Sequence, residues 1–291
     1  MPIEEHTVFN KPDIGTTLWR YMDLPKFVNL LTSQSLWLTN AEVLSKDDPH
    51  EVSLSTAQFR HRQWSKLEDV PDPKLTDIVK HYGSRGDGGE YSAFKAFMME
   101  QEQLHLYTQY WRRSYYIGCW HGASHESLAM WKIYAAPGPG VAVISNSARM
   151  TESLSQDDRK LYLGAVNYFD ERTEQIDWSN AFNIVLSKRQ SFSFEQEVRL
   201  VYWDFEDMQD PVDMESWSDE TMRFESVNTD TRPVSPGVAI DCNLEALIEK
   251  VVISPFAPPW YRSTIESLRD QLGLKFPIES SNLLDPPPTV S

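Results

Sequence analysis

In the stretch "EQEVRLVYW", residues 195–203, a charge stands at every second position before the sequence turns apolar. Side chains alternate between the two faces of a strand, so Glu195, Glu197 and Arg199 are expected on one face of a strand entering a core. Such a face is either exposed, where its ion pairs are worth little, or it lines a cleft that holds a carboxylate for use. Two carboxylates sharing a face repel, which raises the pKa of one. A carboxylate in a cleft can also steady positive charge developing on a sugar carbon, as in glycoside cleavage. The neighbouring Lys188 and Arg189 read as cations at a helix C-terminus or as phosphate contacts, the former being the safer reading for Arg189.

The rest of the chain alternates short strand and helix patterns irregularly. Strands are expected at "TLWRYM", "SLWLTN", "YYIGCW", "GVAVIS", "LYLGAVNYF", "GVAIDC", "KVVISP" and "LKFPIESS". Helices are expected at "LPKFVNLLTSQ", with Asp23 as its cap and Pro25 in its first turn, and at "ESLAMWKIYA". Others are "DWSNAFNIVLSKRQSF", "NLEALIE" and "PPWYRSTIESLRDQLG". "SKDDPHE" is a polar loop with a proline breaker, and "APGPG" is a turn. Residues 52–113 read as a mostly helical insertion or lid, residues 204–235 as an acidic surface loop, and 283–291 as a tail. No glycine-rich βα turn of the dinucleotide-fold type is present. The expectation is a single α+β domain over residues 1–291, with mixed or antiparallel sheets.

Charge narrows the partners. The 291 residues carry a net charge of -16. An acidic surface repels phosphate backbones and anionic headgroups, which disfavours nucleic acid as a partner while leaving room for a local basic channel. Two cysteines, Cys119 and Cys242, give no disulfide framework and suit a reducing compartment. The N-terminus has no apolar signal core and no run approaches the length of a membrane span, so a soluble cytoplasmic protein without a membrane partner is expected.

Three further constellations have competing readings. "CWHGASHES" offers Cys119, His121, His125 and Glu126 as metal ligands, but no second Cys or His group lies at ligand spacing, so no metal is expected there. Its Ser127 reads most simply as a helix cap, and no G-x-S-x-G elbow supports a hydrolase serine. Arg20 in "LWRYM", between Trp19 and Tyr21, is either an edge arginine stacked on an aromatic ring or an anion contact. Trp131 and Tyr134, three apart, share a helix face and either floor a cofactor pocket or pack in the core.

Five motifs in this order, "LWRY", "SLWLTNAEVLSKDDPHE", "CWHGASHESLAMWKIYAAPGPGVAVIS", "KRQSFSFEQEVRLV" and "IEKVVISPFAPPWYRSTIESLRDQLGL", resemble the domain-of-unknown-function family 2971. That family's layout is in turn similar to the ADP-ribosyltransferase superfamily, often found in microbial defence or toxin settings. The resemblance implies an ADP-ribosyltransferase-like pair of small sheets around a cleft that takes NAD as substrate. It implies that Arg20, beside Tyr21, holds the NAD phosphate or ribose. The second role falls in "CWHGASHES", where His121 stands in place of an expected serine, so that it passes to His121, Ser124 or Ser127. The third falls on the glutamate motif, with Glu197 catalytic and Glu195 orienting the attacking group or serving as its base. Arg199 would fix the glutamates.

The expected activity is transfer of ADP-ribose to an unidentified macromolecular target. Two rivals stand beside it. One is a non-catalytic ligand-binding or interaction domain that keeps the fold, suggested by His121. The other is a metal-dependent nuclease or hydrolase combining Asp47, Asp48 and Glu51 with Glu195 and Glu197.

Overall fold

The elements follow from their caps and apolar patterns, in a computed structural model that describes residues 3–84, 88–135, 139–154, 157–206, 210–228 and 234–287. The glycine-rich loop residues 85–87, the proline turn at 136–138 and the end of the tail lie outside the described residues. β1 (Leu18–Asp23) leads into α1 (Leu24–Ser33), whose first turn is closed by Asp23 accepting from the backbone of Lys26. β2 (Ser35–Asn40) follows, and Asn40 caps the short α2 (Ala41–Leu44). The block expected to be helical holds 3-10 turns at Thr56–Gln63 and Leu67–Asp69, then α3 (Asp72–Tyr82) and α4 (Glu90–Arg112).

β3 (Tyr115–Gly122), α5 (Leu128–Tyr134), β4 (Gly140–Ser145), α6 (Ser147–Ser153), β5 (Leu161–Ala165) and β6 (Asn167–Phe169) come next. Where one helix is expected over 177–192, there is instead a single turn, α7 (Phe182–Val185), a short strand, β7 (Ser187–Arg189), and a 3-10 turn at Gln190–Glu195. Pairing of β7 with β6 draws Lys188 and Arg189 out of any helix. β8 (Glu197–Trp203) then begins two residues later than its charge pattern suggests. Residues 210–228 are more ordered than an acidic surface loop, carrying the hairpin β9 (Trp217–Ser218) and β10 (Arg223–Phe224). β11 (Gly237–Asp241), α8 (Leu244–Leu247), β12 (Lys250–Ile253), α9 (Tyr261–Gln271) and β13 (Ile278–Ser280) complete the chain.

The protein is α+β. Among the described residues, nine strands form one mixed, mainly antiparallel sheet rather than two separate small ones. Its spine is β3, paired from Tyr115 to His121 with β8, which pairs in turn with β5. On its other edge β3 has two partners at different ends. Thr39 and Asn40 of β2 pair with Ile117 and Tyr116, while Leu18 and Trp19 of β1 pair with Gly122 and His121. In between, β1 turns away to pair with β4, and β2 with β11. The sheet therefore splits into two arms over the middle of β3.

The main core packs one face of the sheet against α1 and α9, through residues such as Phe27, Leu38, Leu200, Val251 and Tyr261. A second cluster packs the opposite face around Tyr115, Ile117, Val185 and Val201. A separate cluster holds the insertion together: Ile78 of α3 and Phe94, Phe97 and Met98 of α4 surround Met222 of the β9–β10 hairpin. No helix among the described residues is long and apolar enough to cross a membrane.

Candidate functional site

The split opens into a cleft of about 850 Å³, touched by both faces of the sheet. Met22, Leu30 and Trp120 reach it from one side, and Tyr21, His121 and Glu197 from the other. Cross-strand register sets the second group, because Trp19 pairs with His121 and His121 with Glu197. Directly opposed residues share a face. Tyr21, two residues from Trp19, lies on that face too.

Arg20 consequently projects from the opposite face of β1. Its guanidinium donates to the carbonyl oxygen of Trp37 at 2.7 Å and lies 5.6 Å from the Trp120 ring centre. Arg20 and Glu197 both line the cleft, but they do not face each other from one side of the sheet. Strand alternation, which the resemblance did not supply, assigns that facing position to Tyr21. The Trp37 ring closes over Gly237, where a Cβ would come within 2.3 Å of it.

The glutamates converge, though not as a strand row. Glu195 ends the 3-10 turn, and Gln196 adopts a left-handed backbone with φ 40° and ψ 51°. This kink breaks the period of two before β8 begins. The two carboxylates are brought together by Lys188 instead, whose Nζ donates to Glu195 Oε2 at 2.6 Å and to Glu197 Oε2 at 2.8 Å. Glu195 Oε1 accepts from the Tyr134 hydroxyl at 2.7 Å. The Lys188 ammonium also lies 5.0 Å from the Phe192 ring centre.

Arg199 is fully buried behind Glu197. It donates to Glu197 through Nε at 2.9 Å and NH2 at 3.1 Å, and to Glu51 through NH1 at 2.6 Å and NH2 at 3.0 Å. A further bond runs from NH1 to the carbonyl of Val185 at 2.6 Å. Arg189 pairs with Asp48 at 2.6 Å rather than with a helix end. Three carboxylates, Glu51, Glu195 and Glu197, against Lys188 and Arg199 leave the cluster one negative charge in excess.

These contacts reverse the expected effect of carboxylate repulsion. Burial alone would raise the Glu197 pKa, but Arg199 and Lys188 overcome it and hold the carboxyl at about 2. Burial opposes the charge on Lys188 as well, yet Glu197 and Glu51 keep its pKa above the ordinary lysine value. Glu197 is thus a permanent anion near neutral pH, suited to stabilising positive charge and poorly suited to trading protons.

Two neighbours complete the floor. Cys119 is exposed on the cleft, where desolvation by its walls and adjacent Glu197 push the thiol pKa well above the usual value. His121 Nδ1 donates to the carbonyl oxygen of Glu195 at 2.5 Å, which fixes the tautomer and leaves Nε2 as the acceptor. Burial lowers the His121 pKa, so the ring is neutral at pH 7.

The remaining expected residues separate into two groups. Tyr134 lines the cleft, with burial and Glu195 pushing its hydroxyl pKa upward. Trp131, three residues earlier, is a core residue whose Nε1 donates to Glu126 at 2.9 Å. Ser127 caps α5 by accepting from the Met130 amide, and its own amide donates to the Tyr21 hydroxyl at 2.9 Å. Ser127 therefore supports Tyr21 from behind. Asp47, Asp48 and Glu51 reach the cleft from the turn before the insertion, but Arg199 stands between Glu51 and Glu197. Among the described residues no three His, Cys, Asp or Glu side chains converge as a metal site.

Sequence reading took Lys188 for a helix-end cation or phosphate contact and missed it as the partner of the two glutamates, and it missed Glu51 as an arginine partner and Cys119 as a cleft residue. The register of β3 with β8, which opposes Cys119 to Arg199, is the signal that would have found the last. Comparison with family models, with curated proteins and with solved structures finds no match.

Proposed function

We propose that the protein is an NAD-dependent, ADP-ribosyltransferase-like enzyme of the kind that the resemblance to domain-of-unknown-function family 2971 implies. The observation that carries this reading is Glu197, a buried carboxylate kept ionised by Arg199 and Lys188 and lining the cleft of a split sheet. Departure of nicotinamide from NAD leaves positive charge on the ribose carbon. A preorganised anion beside that carbon lowers the barrier without any proton transfer of its own.

The remaining cleft groups distribute along a dinucleotide in a consistent way. Arg20 and Lys26 line the other part of the cleft, near Asn29 and Ser35, and supply cations for the pyrophosphate. Tyr21 and Tyr134 offer aromatic surface beside the glutamates. Neutral His121, with Nε2 as its acceptor, or Glu195 takes the proton of the attacking group on the macromolecular target. Transfer forms a bond from that group to the ribose carbon, breaks the bond to nicotinamide, and releases the proton to the base.

One observation favours a second reading. Both oxygens of Glu197 already accept from Arg199, and one also from Lys188. A glutamate so fully engaged also suits a binding domain in which the network is structural. Incubation of purified protein with NAD separates the two. The enzyme reading predicts nicotinamide release that disappears in Glu197→Gln. NAD binding without release supports the binding domain, and absence of NAD binding at millimolar concentration overturns both as far as NAD is concerned.

A further inference from the structure

We propose that Lys188 is a positioning residue that pins Glu195 and Glu197 to one point and keeps both carboxylates turned into the cleft. Only its catalytic consequence rests on the transferase reading. The geometric part stands on contacts around a single ammonium group.

Lys188 comes from β7, a strand separate from the one that carries Glu197. Its Nζ has a glutamate oxygen on each side, at 2.6 Å and 2.8 Å, and the Phe192 ring near it. The side chain is largely enclosed, with 11% relative exposure. An ammonium there is a compact point charge that directs separate hydrogens at the two acceptors.

The two glutamates need such a tie because their backbones do not provide one. Glu195 belongs to the 3-10 turn and Glu197 to β8, with left-handed Gln196 between them. Without a cation between them, their facing oxygens repel. Glu195 keeps the Tyr134 hydroxyl and Glu197 keeps Arg199, so each has a second anchor pulling it elsewhere. Lys188 converts two separately anchored acids into one acidic pair.

The charged and titratable groups around this pair come from five elements. Cys119 and His121 face it from β3, Tyr134 from α5, Tyr168 from β6, Arg199 from β8, and Glu51 from the turn before the insertion. Among the described residues, Lys188 and Arg199 are the cations in direct contact with Glu197. Removing Lys188 leaves Arg199 divided between Glu197 and Glu51, and the proton affinity of Glu197 rises.

The test compares Lys188→Gln and Lys188→Arg with the wild type by two independent measurements. The first is the titration of the Glu197 side-chain carboxyl followed by carbon NMR, which requires no turnover. The second is nicotinamide release from NAD as a function of pH. In Lys188→Gln, the Glu197 midpoint is expected to move up by at least about one pH unit, equivalent to a tenfold change in proton affinity. The acid limb of nicotinamide release moves with it. Lys188→Arg, which keeps the charge, holds the Glu197 midpoint near its wild-type position. If the midpoint in the glutamine variant does not move, or if the arginine variant moves as far, the proposal is overturned. If wild-type protein releases no nicotinamide, the transferase reading falls while the titration still decides the role of Lys188.

Discussion

Arg199 grips Glu51 through a two-pronged contact at 2.6 and 3.0 Å, although 148 positions separate the two in sequence. The contact joins the turn before the helical insertion to the strand that carries Glu197. Replacing Arg199 with methionine leaves Glu51 and Glu197 buried without their shared cation. Breaking one side of a buried pair in this way costs about 3–5 kcal/mol. Denaturant unfolding of Arg199→Met should show a loss of that order. A loss below about 1 kcal/mol would mean that the carboxylates rehydrate freely.

Acid should weaken the fold through Glu197. Its folded pKa of about 2 lies below the ordinary glutamate value of 4.5. A depressed carboxyl contributes stability that is fully present above its unfolded value and is lost as pH falls toward its folded value. Glu102 behaves alike: burial pushes its carboxyl up, but His61 and Arg62 bring it down to about 2. Unfolding midpoints should therefore fall between pH 4.5 and pH 2. Glu197→Gln should flatten part of that slope, by about 1.4 kcal/mol for each tenfold difference in proton affinity that it abolishes between the folded and unfolded chain.

Tyr134 tests the contribution of Glu195. Phenylalanine keeps the ring and removes the donor that holds Glu195 Oε1 at 2.7 Å. Hydrogen bonds to charged groups contribute about 1.5–3 kcal/mol. Tyr134→Phe should destabilise the fold by that order, read in denaturant unfolding, and on the transferase reading should also lower kcat for nicotinamide release at a temperature where the variant is fully folded.

Cys119 supplies a chemical probe of the anion beside it. Burial and Glu197 hold its thiol well above the usual pKa, so little thiolate is present at pH 8. Iodoacetamide should label Cys119 more slowly than a free thiol at the same pH. Glu197→Gln should accelerate labelling at this position, read by mass spectrometry of the peptide. Equal rates in the two proteins would contradict the assigned influence of Glu197.

Local pattern revealed the strands of the spine and its arms, because β1, β2, β3 and β4 each carry an apolar run bounded by polar or turn residues. Asp23 announced α1 by side-chain chemistry alone. The failures are non-local. The apolar spacing of residues 177–192 suits a helix, but β6 offers a strand partner that local sequence cannot show. Glu51 looks like a solvated loop residue until Arg199 is placed behind it. The left-handed turn at Gln196 has no glycine to advertise it, so the regular charge alternation promised a flat row where the chain kinks. For Arg20 the sequence left an aromatic-stacked arginine and an anion contact side by side; the structure sets it near the Trp120 ring, and strand parity places it on the opposite face from Glu197.

Where β1 and β2 leave β3, each keeps a strand partner on its outer side, β4 or β11. The sides that border the opening are lengths of main chain, and Arg20 already uses one of their carbonyls, that of Trp37. Peptide N–H and C=O groups are the same whatever side chains accompany them. Recognition through such walls survives wholesale replacement of residues, provided the strands still part. Proteins sharing this split-sheet geometry can therefore diverge until their sequences retain no common trace of it.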